Sequence, residues 1–215
     1  MFKHIYPAVA ATLLFALLTG IVFPLTITAI ASVCFPFQAH GSLITSSGAN
    51  ADSKVIGSAL IGQSFSSPRY FHGRPSAAGS GYNAVLSGGT NLGPTSDKLI
   101  NGSKDFSGIK TLARLYRQEN NLSETTLLPV DAVTRSGSGL DSDISPENAQ
   151  LQAARVATAR KINPATIDAL LAAKTEQKLL GFLGERRINV LKLNLALDKI
   201  SSENSEKEKA TLVHK

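Results

Sequence analysis

Cysteine is almost absent from this 215-residue chain: the single thiol, Cys34, sits inside its longest apolar run. The rest of the chain therefore folds without a disulfide, and thiol content leaves the redox compartment open. No G-x-x-x-x-G-K-[ST] loop occurs, nor the Asp-Lys-Thr-Gly-Thr sequence of a phosphorylated aspartate, so the chain lacks the parts to hydrolyse nucleotide alone. His4, His40, His72 and His214 are scattered without metal-ligand spacing, and nothing specifies a zinc site or a catalytic triad. No catalytic residue, metal or cofactor of its own is expected. Charge is missing altogether from Ile5 to Ala39, a run of 35 residues. Most of the formal charge of +6 therefore belongs to the region after this run, where it reads as a solvated surface with no nucleic-acid partner expected.

As a helix the uncharged run would extend about 52 Å, against a hydrocarbon core of about 30 Å. It is expected to span a lipid bilayer once. Phe35-Pro36-Phe37 marks the exit, because Pro36 cannot donate to a continuing helix and aromatic rings suit the interface. Ala29-Ile30-Ala31 resembles a signal-peptidase site, but the run exceeds the roughly 7 to 15 residues of a signal core, so a retained anchor is expected. Lys3 is the only Lys or Arg before Lys54, which places the N-terminus inside and the domain outside the cytoplasm. Within the span Ala8, Thr12, Ala16 and Gly20 recur at every fourth residue, a face on which a partner helix can approach closely. The same small residues are ordinary in membrane helices, so both readings stay open. Pro24, four after Gly20, removes a helical donor and predicts a kink.

The organisation expected is an anchor over 1–40 with its helix over about 7–34, a linker over 41–53, a mixed α+β domain over 54–200 and a frayed tail over 201–215. Lys54 to Gln63 reads as a strand interrupted by Gly57. Ser64 to Asp97 is rich in Gly, Ser, Pro and Asn without a helical period, and its aromatics Phe65, Tyr70, Phe71 and Tyr82 predict an ordered loop region. Ile109, Leu112, Leu115 and Tyr116 form one face of a short helix. Leu127 to Val133 reads as a brief strand. Ser145-Pro146-Glu147 starts a helix that runs to about Lys161, and Asn163-Pro164 starts another that leads to an end at Gly181 or Gly184. Leu191, Leu193, Leu195 and Leu197 alternate like a strand although Leu and Ala favour helix, so Arg187 to Leu197 is ambiguous.

Two Gly/Ser segments are weak candidates for holding phosphate on backbone amides. Ser87-Gly88-Gly89 follows Leu86 and resembles the opening of the LSGGQ element, and Ser136-Gly137-Ser138-Gly139 has Arg135 beside it. Ordinary turns explain both more cheaply. Asp141, Asp143 and Ser145 offer oxygens to a cation but lack the rest of a calcium loop.

Taken in order, several stretches resemble one family, the C subunit of the Kdp potassium-transporting ATPase. They are Thr19 to Leu25, Phe35-Pro36-Phe37-Gln38-Ala39-His40-Gly41-Ser42-Leu43, Gly57 to Phe65, Tyr70-Phe71-His72-Gly73-Arg74-Pro75-Ser76-Ala77, Ser87 to Gly93, Val133 to Asp141, Arg155-Val156-Ala157 and Asn189-Val190-Leu191. Arg135 departs from the family's small residue and Ser142-Asp143 from its Pro-His pair, and residues 98–126 match loosely. The resemblance implies an accessory, non-catalytic subunit in the bacterial cytoplasmic (inner) membrane. Its implied partners are a channel-like potassium-binding subunit, a P-type ATPase subunit that uses the ATP, and a small fourth membrane subunit. The family is regarded as assisting assembly or as a catalytic chaperone that raises ATP affinity. An external domain cannot touch cytoplasmic ATP, so assembly is the reading expected, with the chaperone role or an unrelated anchored binding module as alternatives.

Overall fold

The computed structural model describes residues 2–46 and 54–213, which divide into one compact unit up to Ser58 and a second from Ala59 onward.

In the first unit a 3-10 turn over Phe2–His4 leads into α1 (Ile5–Leu17), a π-helical turn (Leu18–Val22) and α2 (Phe23–Cys34). Together they make one apolar helix, Ile5–Cys34, whose 30 residues are long and apolar enough to cross a membrane. The break expected at Pro24 takes the form of the π turn, closed by the Phe23 amide on the Leu18 carbonyl. A proline ring clashes with the carbonyl four residues before it, here Gly20, and a wider turn moves that carbonyl away. Thr12, Thr19 and Thr26 hydroxyls donate to the carbonyls of Ala8, Phe15 and Val22 at 2.7–2.9 Å, which satisfies them inside an apolar medium.

Phe35 leaves helical geometry (φ −136°, ψ 56°), and Pro36 opens the short α3 (Pro36–Ala39). Gly41 at φ +83° ends it in a Schellman motif: its amide reaches Gln38 O and the Ser42 amide reaches Phe37 O. The expected linker is then partly a strand. Leu43–Ser46 (β1) pairs antiparallel with Lys54–Ser58 (β2), with a bulge where the register skips from Gly57 to Val55. Leu-Ile-Thr supplies β-favouring side chains that the small-residue composition of the stretch concealed. The remainder of the linker, residues 47–53, lies outside the described residues. β2 stops at Ser58, well short of Gln63.

The second unit packs helices around a pair of very short strands. Its elements are α4 (Asp97–Asn101), α5 (Ile109–Glu119), α6 (Val130–Val133), β3 (Asp143–Ile144), α7 (Pro146–Arg160), α8 (Pro164–Lys174), β4 (Ile188–Asn189) and α9 (Val190–Val213). β3 and β4 pair antiparallel, Asp143 with Asn189 and Ile144 with Ile188. The core joins Ile144, Val156, Ile167, Leu171, Ile188, Leu193 and Leu197 to Phe71 of the loop region, which is ordered as its aromatics predict. Both helix starts hold: Ser145 Oγ accepts from the Asn148 amide and Asn163 Oδ1 from the Ala165 amide.

Three expectations for this unit are corrected. The brief strand over Leu127 to Val133 is instead the single-turn α6, entered from Pro129, which pre-sets φ at its N-cap. α8 ends at Lys174, ahead of both glycines; Gly181 and Gly184 serve a hairpin between α8 and β4, at φ +82° and +79°. The tail expected to fray is helical to Val213, because it continues α9 from a buried start. The leucine alternation resolves to helix: Val190, Leu191, Leu193, Asn194 and Leu197 are buried while Lys192 and Leu195 are not, and 190, 193, 194 and 197 recur at a spacing of three and four.

Candidate functional site

The most constrained part of the second unit is the segment from Tyr70 to Ser76, laid against α7 and α9. Among the described residues it has no strand partner, yet its buried peptide groups need hydrogen bonds. Two side-chain amides supply them. Asn194 Oδ1 accepts from the Phe71 amide and its Nδ2 donates to the Phe71 carbonyl, both at 2.9 Å. Gln152 treats His72 the same way, accepting from its amide at 2.7 Å and donating to its carbonyl at 3.0 Å. Each amide replaces one rung of a sheet. Arg155 extends the arrangement from α7, donating to Asn120 Oδ1, the carbonyls of Pro68 and Tyr70, and Gln152 Oε1 at 2.8–3.0 Å.

Flanking groups hold the segment's ends. His72 Nδ1 lies 2.8 Å from Glu119, and the hydrogen bond from His72 holds that carboxyl below its ordinary range. Arg160 lies over the Tyr70 ring and pairs with Asp198, which also accepts from the Tyr70 hydroxyl. Tyr82 donates to the Arg74 carbonyl at 2.5 Å, and burial followed by the Asp141 charge pushes its phenol up to about 12. Burial likewise raises Tyr116, whose hydroxyl donates to Asn148 Oδ1 at 2.7 Å. A Cβ at Gly62 would run into the Asp141 carbonyl and the Tyr82 ring, and one at Gly73 into the Tyr82 hydroxyl, so both positions are glycine.

The two Gly/Ser candidates, some fifty residues apart in sequence, are brought together. Ser87 Oγ and the Gly88 amide both donate to the Ser138 carbonyl at 2.9 Å, and Gly89 passes so close to Gly137 that a Cβ would sit 2.7 Å from its carbonyl oxygen. Ser136 is buried, and its carbonyl accepts from the Gly139 amide. The donors of Ser87 and Gly88 are thus spent on protein oxygen. The departing residue Arg135 turns away from its neighbours to lie 4.3 Å over the Phe106 ring and donate to Ser107 O.

Asp141, Asp143 and Ser145 line one cleft, but each side chain is engaged by a protein partner. Asp141 pairs with Arg74 at 3.0 Å, Asp143 with Arg187 at 3.2 Å, and Ser145 bonds Asp131, whose carboxylate sits at the start of α7. Among the described residues no three His, Cys, Asp or Glu side chains are placed to hold a metal ion. An open cleft of about 510 Å³ at this end carries both signs of charge, Arg74, Arg186 and Arg187 with Asp131, Asp141 and Asp143.

In the first unit Ala8, Thr12, Ala16, Gly20 and Pro24 are all exposed, and a Cβ on Gly20 meets nothing within 4 Å. The π turn over Leu18–Val22 contains Gly20, so the regular α-helical spacing is interrupted between Ala16 and Pro24.

Sequence reasoning missed the amides. Asn148, Gln152 and Arg155 stand at helical spacing on the buried face of α7, and Asn194 interrupts a leucine run. A polar residue at a core position was the available signal.

The family model described as KdpC, K+-transporting ATPase, c chain, matches residues 5–199. A Potassium-transporting ATPase KdpC subunit of Caulobacter vibrioides (strain NA1000 / CB15N) is 51% identical over 198 residues, covering 92% of this chain and 94% of that one. A KdpC subunit of Mycobacterium bovis (strain BCG / Pasteur 1173P2) is 49% identical over 200 residues, 93% of this chain and 100% of its own. One of Gemmatimonas aurantiaca is 48% identical over 207 residues, 94% and 96% respectively.

Proposed function

Because the chain belongs to the KdpC family, the c chains of K+-transporting ATPases, we propose that it is the accessory, non-catalytic subunit of an ATP-driven potassium uptake complex. It assists assembly and stabilises the channel-like and P-type ATPase subunits, together with a small fourth membrane subunit. The N-terminus lies inside the cytoplasmic membrane and the domain outside, where it contributes at the outer potassium entrance. The observation that carries this reading is the extent of the match, which takes in the apolar helix and the α+β unit alike. The amide-held Tyr70 to Ser76 segment supports it: the segment's polar groups are used to fix a shape, and a fixed shape is what a docking subunit presents.

Topology is tested with Leu127→Cys, 91% exposed, in a Cys34→Ser background. An impermeant thiol reagent applied to intact cells, with the outer membrane made permeable where there is one, should label it. The channel-like and ATPase subunits should co-purify with the chain and separate from each other in its absence. Labelling only after the cytoplasmic membrane is lysed would put the domain on the ATP side, sink the external reading and favour the catalytic-chaperone alternative.

A further inference from the structure

Both nitrogens of the His72 ring face oxygen. Nδ1 lies 2.8 Å from Glu119 Oε1 at the end of α5, and Nε2 lies 3.0 Å from the carbonyl oxygen of Ser67. A carbonyl can only accept a hydrogen bond, and so can an ionised carboxylate. Glu119 is ionised in this setting, because the hydrogen bond from His72 holds its carboxyl below the ordinary range against the burial that would raise it. A neutral imidazole has a single N–H and satisfies one of these oxygens; at the other, lone pair meets lone pair. The doubly protonated ring satisfies both. The His72 side chain is 18% exposed, which leaves little water to replace a lost contact.

What the ring ties together decides what its second proton does. The Ser67 carbonyl also accepts from the Tyr70 amide at 3.0 Å, which closes a turn over 67–70. That turn wraps the Arg155 guanidinium, whose Nη1 donates to the carbonyls of Pro68 and Tyr70. The His72 backbone is fixed separately by Gln152, so a lost ring contact changes the turn and leaves the segment in place. Pro68, Glu119 and Arg155 line an open groove of about 480 Å³, so the turn and the carboxylate that His72 joins are two of its walls. The charges around the ring act in opposite senses. Glu119 of α5 favours the second proton, and Arg155 of α7 opposes it from across Gln152 Oε1, which accepts from both the His72 amide and Arg155 Nη2. Direct contact decides for Glu119, since the Arg155 charge is shared among four oxygens of uncharged groups. Tyr116 of α5 is kept neutral by burial, Arg160 of α7 and Asp198 of α9 pair with each other, and Arg69 in the turn is exposed.

We propose that His72 is a pH-operated clasp: with both ring nitrogens protonated it pins the 67–70 turn to the end of α5, and loss of one proton frees one of the two contacts and loosens that wall of the groove. Imidazole suits the task because it gains and loses its second proton near neutral pH. The sign follows from the geometry: both contacts are present on the acid side and one is lost as pH rises. The clasp lies within one unit and works whichever side of the membrane the domain occupies.

Amide hydrogen exchange of the detergent-solubilised full chain tests this, expressed as protection factors so that the intrinsic pH dependence of exchange is removed. Between about pH 6 and about pH 8.5, protection of peptides covering 65–72 should fall about tenfold, the size expected of one lost hydrogen bond to a charged group. Peptides covering 165–172 in α8, which carry the buried Ile167, Leu170 and Leu171, should keep theirs. Glu119→Gln keeps an acceptor but removes the charge, and should move the fall to lower pH. His72→Gln should make protection of 65–72 independent of pH over this range. Level protection in the wild type, a fall shared equally by α8, an equal fall in His72→Gln or an unmoved fall in Glu119→Gln would each overturn the proposal.

Discussion

Asn194→Ala removes the side chain that closes both hydrogen bonds of Phe71, and the structure sets the size of the loss. Asn194 is 1% exposed and Phe71 is 0% exposed, so water cannot replace the amide without opening the core. An orphaned buried polar group costs about 1–3 kcal/mol, so two cost about 2–6 kcal/mol, and a central value near 4 kcal/mol is a large share of a domain stability of about 5–15 kcal/mol. With a urea slope of about 2 kcal/mol/M the midpoint should fall by about 2 M. Tyr70, Tyr82 and Tyr116 lie in the second unit, and with no tryptophan present their emission follows its unfolding in the detergent-solubilised full chain. Asn194→Asp keeps the acceptor for the Phe71 amide but loses the donor to its carbonyl, and should fall between wild type and Asn194→Ala. Gln118→Ala on the exposed side of α5 should stay within about 0.5 kcal/mol of wild type. If Asn194→Ala also stays within about 1 kcal/mol, the paired amide is not what holds the Tyr70 to Ser76 segment.

Gly20→Leu should leave expression and insertion of the chain unchanged, since nothing lies within 4 Å of a Cβ there, while reducing recovery of the channel-like and ATPase subunits; recovery equal to wild type would place the assembly determinant elsewhere. Alkaline stability should track Tyr82. Its folded pKa of about 12 exceeds the ordinary 10.0, so its full contribution is present below pH 10 and is lost as the unfolded phenol ionises between pH 10 and 12. The loss is about 2–3 kcal/mol from this group, with Tyr116 acting in the same direction. Tyr82→Phe should flatten urea midpoints measured across that range, and an unchanged slope would remove Tyr82 as the cause.

Legibility followed distance along the chain. The Ser145 and Asn163 caps and the Ile109 helix face were readable because each depends on residues a few positions apart, and the order of the Ser64 to Asp97 stretch because aromatics such as Phe71 are residues that fill a core. The Leu127 to Val133 segment misled because its apolar residues satisfy a strand pattern, while Pro129 and the docking of Asp131 on α7 select one helical turn. Of the candidate residues, Ser87, Gly88 and Gly89 could be named as phosphate-cradling types, but what their donors face was set by Ser138 and Gly137.

By itself the sequence determined the long apolar helix, its end at Phe35-Pro36-Phe37, the capped helices and the family resemblance, because each is a property of neighbouring residues or of their order. Tertiary structure alone decided that Asn194 and Gln152 serve as rungs for Phe71 and His72, partners 123 and 80 residues away. It also decided that Arg187 to Leu197 is a two-residue strand followed by helix, and that a leucine-rich hairpin stands out from the domain. A side-chain amide has no periodicity of its own, and whether it caps, solvates or bridges depends on which peptide group the rest of the fold brings to it.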